Sequence, residues 1–331
     1  MYPARRTAAR LIADMIAGIS LAAMVPCAGA QEWPSKSIRV VSPYAAGGVG
    51  DTIFRLIAPT LEAKLGQRFF IDNKTGAAGN IGTGEVVRAR PDGYTLLFAP
   101  TANYAVNQYL FKNLGFDPGT QLEPIATVAE APLIAVASAA NHAATLKEFA
   151  SATRSNPGKF NYGSPGAGSP THLAGASFSQ LTGNTLVHIA YRGTPPMVMA
   201  LLADDVQLAF PTLTPVLGHL SSGKLKALAV MARQRSPELP NVPSAVEAGF
   251  PDLIFSNWWV LAAPKGTDPK LIARLGSEIR SALADPALRA RLAEIGHLPV
   301  GLGPAESAAF VRAESVRYKT LIEHTGIKLE Q

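Results

Sequence analysis

The chain has 331 residues, 30 Lys plus Arg against 24 Asp plus Glu, 47% hydrophobic and 16% charged positions, and a single cysteine. At roughly 100 to 200 residues per domain, this length predicts two domains with a large buried core and excludes a disulfide-stapled miniprotein or a disordered tail. The net charge of +6 raises nucleic acid as a partner, but charge acts through its distribution, and part of the excess sits at the N-terminus.

Arg5, Arg6 and Arg10 precede an apolar stretch from Leu11 to Val25, and Ala28-Gly29-Ala30 supplies the small residues a signal peptidase reads. Residues 1–30 therefore read as a secretory signal peptide cleaved near Ala30. Its removal takes away three arginines and Asp14 and leaves a net charge of +4 without a basic run, which argues against nucleic acid. Asp14 and Pro26 break the apolar stretch short of the ~20 residues a membrane span needs. Cys27 lacks the preceding small residues of a lipoprotein site, and Thr7-Ala8-Ala9 continues a twin-arginine signal poorly. With Cys27 in the leader, no cysteine is left for a disulfide, a thiolate metal site or a nucleophile. The mature protein is expected to be exported, soluble and not stably inserted in a membrane.

From Ser37 onward, short β-branched runs alternate with helical patterns, the signature of βαβ units. Ile38 to Ser42 predicts a strand, Asp51 to Leu65 a helix with Ile53, Leu56, Ile57, Leu61 and Leu65 on one face, and Arg68 to Ile71 a strand. A Gly-rich turn, a helix from Ile81 to Arg90 and a strand from Tyr94 to Ala99 follow. Pro59 is expected to bend the first helix, because proline removes a backbone donor and crowds the previous turn. A second set begins with a strand from Leu133 to Ser138, a helix from Leu146 to Ser155 and a strand from Phe160 to Gly163. It continues with helix 171–181, strand 186–191, helix 196–203, strand 206–210, a short helix and strand 225–231.

The tail predicts an apolar strand from Trp258 to Ala263 and then two or three amphipathic helices. Asp268-Pro269 and Asp285-Pro286 each place a capping side chain before a proline at the first helical position. Leu271, Ile272, Leu275, Ile279 and Leu283 form one stripe. Leu133 to Ser138 and Trp258 to Ala263 bracket the second set and are the candidate crossing strands. This gives a discontinuous first domain, 31–135 plus 260–331, and a second domain, 136–259.

In open α/β sheets, ligands bind outside the carboxyl ends of the strands. Six loops occupy such ends: Tyr44 to Gly50, Asn73 to Asn80, Pro100 to Asn103, Ser164 to Pro170, Arg192 to Pro195 and Pro211 to Thr214. Several are rich in Gly, Ala, Ser and Thr, which lets backbone amides and a following helix N-terminus approach an anion. The expected ligand is a carboxylate, although any one loop alone reads equally as a tight turn. No dinucleotide fingerprint, P-loop or nucleophile elbow is present, and Ser221-Ser222-Gly223-Lys224 is a chance-grade match to Ser-x-x-Lys. The six histidines show no pair at metal-ligand spacing. His172 reads as a capping or packing residue ahead of a ligand contact, and Asp51, opening a helix, has a structural default role. Neither a metal nor a cofactor is expected.

Several segments then carry a resemblance as an ordered set. Pro43-Tyr44-Ala45-Ala46-Gly47-Gly48, Thr75-Gly76-Ala77-Ala78-Gly79-Asn80-Ile81-Gly82 and Pro91-Asp92-Gly93-Tyr94-Thr95-Leu96 come first. Tyr162-Gly163-Ser164 with Gly166 and Gly168-Ser169, His188-Ile189-Ala190-Tyr191-Arg192-Gly193 and Leu239-Pro240-Asn241-Val242-Pro243 follow. Over the whole mature chain they resemble the Bug family of periplasmic solute-binding receptors of tripartite tricarboxylate transporters.

The resemblance implies an α/β, two-lobed, type II periplasmic binding protein of the Venus-flytrap kind, each lobe a mostly parallel sheet flanked by helices. It implies a monomer in the periplasm that takes a small organic carboxylate and passes it to membrane transporter subunits. Carried onto this chain, the binding set is Tyr44, Ala45, Ala46, Gly48, Gly50, Asp51, Gly76, Ala77, Ala78, Gly79, Asn80, Thr101, Ser164, Gly166, Gly168, Ser169 and Tyr191. Thr212 joins it as a hydroxyl where the family often has an acidic residue, which disfavours an ammonium-bearing ligand. Where the family commonly shows Gly-Gly-Ser-Thr-Asp, this chain has Gly47-Gly48-Val49-Gly50-Asp51, losing two hydroxyls but keeping the amides. The rival readings are an exported enzyme acting on a carboxylate and a ligand-sensing partner of a signalling receptor.

Overall fold

A computed structural model describes residues 33–327; the expected signal peptide and Cys27 lie outside them. Among the described residues, eleven strands divide between two sheets. The strands are β1 (Ile38–Ser42), β2 (Phe69–Asn73), β3 (Thr95–Pro100), β4 (Leu122–Pro132), β5 (Ile134–Ser138), β6 (Asn161–Ser164), β7 (Val187–Ala190), β8 (Leu208–Ala209), β9 (Leu225–Val230), β10 (Ser256–Pro264) and β11 (Leu298–Leu302). The six-stranded sheet has the order β11-β4-β10-β3-β1-β2, and the five-stranded sheet β7-β6-β8-β5-β9.

The expectation of mostly parallel sheets is corrected: both are mixed. In the first, β1 runs parallel to β2 and β3, while β10 is antiparallel to β3 and β4, and β11 to β4. In the second, β6 is parallel to β7 and β8, while β5 is antiparallel to β8 and β9. The cause is the path of the chain: β4 leads out to the second sheet and β10 brings the chain back beside it, so these neighbours must run in opposite directions.

The crossing also differs in place. Leu133 to Ser138 does not bridge the sheets; β5 belongs wholly to the second, and the outgoing strand is β4, which the sequence pattern did not suggest. At the crossing, the Leu133 amide donates to the Phe255 carbonyl over 2.9 Å, the Phe255 amide to Met231 over 2.9 Å and the Met231 amide to Leu133 over 2.8 Å. Two outgoing and returning segments and the end of β9 are thus tied into one narrow ladder.

The helix Val49–Leu65 buries Ile53, Phe54, Ile57, Leu61 and Leu65 against the first sheet, each fully buried side chain contributing about 1.5 to 3 kcal/mol. Phe54 anchors it, with ring centroids 5.7 Å from Phe69 and 5.2 Å from Phe98. Pro59 lies on its exposed side, and the helix continues through it to a left-handed Gly66 cap. The two Asp-Pro starts are as expected: Asp268 accepts the Lys270 amide at 2.8 Å and Asp285 the Ala287 amide at 2.9 Å. The edge strand β11 carries Pro299, tolerated there because an edge leaves some amides without ladder duties.

Among the described residues, no helix is long and apolar enough to cross a membrane.

Candidate functional site

The loops after β1 and β2 are brought together. Asn73 donates its side-chain amide to the Tyr44 carbonyl at 2.9 Å, and the Tyr44 hydroxyl reaches the Ala78 carbonyl at 3.2 Å and Asn103 Oδ1 at 3.1 Å. Ala45 and Ala46 form the exposed bend between them, closed by a 3.0 Å bond from the Gly48 amide to the Ala45 carbonyl. A methyl at Gly48 would stand 2.9 Å from that carbonyl, and one at Gly50 would stand 3.3 Å from Trp259 Nε1. Both glycines are there for close approach rather than for flexibility.

Gly48 caps the helix Val49–Leu65 without a side-chain partner. Asp51 does not fill that role. Its carboxylate accepts the Gly47 amide at 3.0 Å and the Arg55 Nε at 2.9 Å. Burial opposes its ionisation, but Arg55 and the Gly47 amide outweigh burial and hold its pKa below the ordinary carboxylate value. Asp51 therefore fastens the first loop and pairs with the Arg55 guanidinium.

The second loop is strained. Gly76, Ala77, Ala78 and Gly79 all have positive φ, at 123°, 46°, 53° and 86°. Left-handed alanines cost roughly 1 to 2 kcal/mol each, and such conformations persist only where surroundings enforce them. The enforcement is visible at the Ala78 carbonyl, which accepts from Tyr44, from Asn107 Nδ2 at 3.1 Å and from Asn103 Nδ2 at 3.4 Å. Asn103 and Asn107 are buried and were not singled out as side chains in the sequence. Their position shortly after β3 was the available signal.

Asn80 is fixed by the same cluster. Its Oδ1 accepts from Asn107 Nδ2 at 2.6 Å, which leaves its own Nδ2 as a buried donor without a hydrogen-bond partner.

Thr101 is placed differently from the rest of the binding set. It is fully buried, and its hydroxyl accepts the Trp258 amide at 2.9 Å. It pins the returning strand β10 to the end of β3.

In the second half, the loop after β6 is wound around the Gly166 carbonyl, which accepts from Ser164 Oγ at 2.9 Å, Ser169 Oγ at 2.8 Å and the Ser169 amide at 3.2 Å. Ser169 also caps the helix Pro170–Thr182 by accepting the His172 amide at 3.2 Å. The Gly168 amide donates to His172 Nδ1 at 3.0 Å, and Ser164 Oγ lies 2.7 Å from His188 Nε2. The two imidazoles are stacked, with centroids 3.6 Å apart and planes 7° from parallel. His172 and His188, 16 residues apart in the chain, thus meet face to face. Strand register sets His188 opposite Tyr162 across β6 and β7, and the Tyr162 ring lies 6.1 Å from His172 on the following helix.

Tyr191 bonds through its backbone, its amide donating to the Ser164 carbonyl at 2.9 Å, while its ring packs on the apolar cluster of Met197 and Val206. Thr212, half-buried, follows Pro211, whose carbonyl accepts the Ile134 amide at 2.8 Å. Among the described residues, no group of three or more His, Cys, Asp or Glu side chains could hold a metal ion.

Two mixed α/β halves, joined by a double crossing and carrying small-residue loops at strand ends, define a two-lobed binding-protein fold. Residues 53–327 match the tripartite tricarboxylate transporter family receptor, TctC, and the chain belongs to this family. It is similar to BugT of Bordetella pertussis, with 33% identity over 322 residues that cover 97% of this chain and 99% of BugT. Among solved structures it is similar to Rpa4515 of R. palustris with adipate, at 30% identity and TM-score 0.79, covering 90% of this chain and 100% of the other. MatC from Rhodopseudomonas palustris with bound malate matches at 31% identity and TM-score 0.74, over 88% of this chain and 100% of the other.

Proposed function

We propose that the protein is a periplasmic solute-binding receptor that holds a small organic carboxylate between its lobes and delivers it to membrane subunits of a tripartite transporter. The observation that carries this reading is the buried, unpartnered Asn80 Nδ2 beside the Asn107 cluster that holds the Ala78 carbonyl. Such a donor is costly until an acceptor arrives, and an ionised carboxylate brings acceptors only. No Lys or Arg occurs in the binding set, so backbone and amide donors do the holding. The adipate and malate of the two similar proteins are both carboxylates, which supports the same class here.

In this reading the signal peptide 1–30 is removed and the mature protein acts as a monomer. Residues 31–135 plus 260–331 form one lobe and 136–259 the other, hinged where Leu133 and Phe255 meet. The loops around Tyr44, Ala78 and Asn80 face those around Ser164 to Ser169, with Tyr191 and Thr212 flanking them. Closure follows because a ligand bridging both lobes stabilises the closed arrangement more than the open one.

The exported-enzyme alternative draws on one observation, the 2.7 Å contact of Ser164 with His188. Against it, Ser164 is 0% exposed and its hydroxyl is bound to the Gly166 carbonyl, so this serine is not poised as a nucleophile.

The test is calorimetry on refolded, ligand-free mature protein with a panel of di- and tricarboxylates, with mass spectrometry of the recovered ligand. Saturable binding with the ligand unchanged is expected. A flat response across the panel, or chemical turnover, overturns the reading.

A further inference from the structure

The Gly166 carbonyl is drawn inward by three donors, and a trans peptide places its C=O and the next N–H on opposite sides. The amide of Ala167, an exposed residue, therefore points away from the network. We propose that His188 and His172 are positioning residues that hold the Ser164 to Ser169 loop so that the Ala167 N–H is presented as an anion donor. This rests on the receptor reading above and adds to it a donor that the sequence pattern did not select.

The hydrogen bonds fix what each ring must do. The Gly168 amide donates to His172 Nδ1, so that nitrogen carries no proton and the ring proton is on Nε2. An imidazolium has donors at both nitrogens and cannot accept this amide. With the single Ser164 hydroxyl proton directed to the Gly166 carbonyl, His188 Nε2–H is the donor to Ser164 Oγ. The Gly166 amide approaches the same oxygen at 3.2 Å. One histidine thus orients Ser164, which holds the Gly166 carbonyl, and the other holds the Gly168 amide. The stack locks the two rings to each other. Burial, with His188 adding repulsion at His172, keeps both rings neutral, His172 at a pKa of about 3 and His188 at about 4.

Asparagine and glutamine separate positioning from packing, because the asparagine amide falls near the Nδ1 position of histidine and the glutamine amide near Nε2. The experiment uses the full mature chain with His172→Asn, His172→Gln, His188→Gln and His188→Asn. Adipate is the titrant, and 15N spectra report the Ala167 and Gly168 amides. All four variants lose the stack and should melt lower together. H188N and H172Q should weaken adipate binding roughly tenfold, the scale of a lost buried hydrogen bond. H188Q and H172N should restore most of that affinity and the wild-type amide shifts. Equal losses within both pairs overturn the inference while leaving the receptor reading intact. If the wild type binds neither adipate nor any other carboxylate, the receptor reading falls. The amide shifts of the four variants then still decide whether the histidines position the loop.

Discussion

The Thr214 hydroxyl donates to the Ile295 carbonyl at 2.7 Å, joining the segment after β8 in the five-stranded sheet to the segment before β11 in the six-stranded one. His297 Nδ1 lies 2.6 Å from the same carbonyl. Gly296 makes the approach possible, since a methyl there would overlap Thr214 Oγ1, and its φ of 72° disfavours any other residue. The contact lies beside the crossing: Gly296 and Leu298 line one small cavity with Pro132, Ile134 and Val230, the neighbours of Leu133 and Met231, and it braces the two halves where they join.

Thr214→Val should therefore weaken carboxylate binding about two- to tenfold, the range of one exposed-to-partly-buried hydrogen bond. Its melting temperature should stay near that of the wild type. Gly296→Ala should weaken binding further and enlarge the radius of gyration of the ligand-saturated protein in small-angle scattering. Unchanged affinity and scattering in both variants would show that the contact plays no part in closure.

Gly79 and Asn103 give a sharper case. A methyl at Gly79 would stand 2.6 Å from Asn103 Nδ2, at a residue whose φ is 86°. Gly79→Ala must displace the amide that helps hold the Ala78 carbonyl, and it adds left-handed strain of at least about 1 kcal/mol. Binding should fall by more than tenfold, with a measurable drop in the urea midpoint. Gly47, also left-handed but with open space around it, is the control: Gly47→Ala should cost stability alone. Calorimetric titration of the two variants side by side distinguishes them.

Thr101→Val tests whether Thr101 acts on the ligand or on the fold. The substitution keeps the shape and removes the acceptor of the buried Trp258 amide, a loss of about 1 to 3 kcal/mol. The expectation is a lower melting temperature with ligand affinity unchanged. A large affinity loss at unchanged stability would return Thr101 to the binding set.

How far these features were legible in the sequence depends on where their cause lies. The strand Ile38–Ser42 and the helix Leu146–Ser155 were readable to the residue because their patterns are local. The candidate loops were readable as small residues after strands. Strand β4 was not: it lies between β10 and β11, it is buried at most positions with no alternation, and Glu123, Pro124, Glu130 and Pro132 disguise it. His188 was visible as a residue but not as the partner of Ser164, 24 residues away. That pairing exists only once β6 and β7 are in register. Asn103 and Asn107 gain their meaning from the strained Ala77-Ala78 turn, and nothing in two alanines announces a left-handed backbone.

Acidification should destabilise the protein through the stacked histidines. In the unfolded chain both titrate near the ordinary value of about 6.5, whereas in the folded protein burial lowers them to about 3 and about 4. Between these limits the unfolded state binds more protons than the folded one, so stability rises with pH and is lost as pH falls. The contribution is complete above about pH 6.5 and declines progressively toward pH 4. The same protonation removes the acceptor for the Gly168 amide. Melting temperatures from pH 7.5 to 4 should fall more steeply for the wild type than for a His172→Asn, His188→Gln double variant, which has no imidazole to charge there. Parallel curves would mean that the pair protonates in the folded protein near the ordinary value, and that other groups govern the acid response.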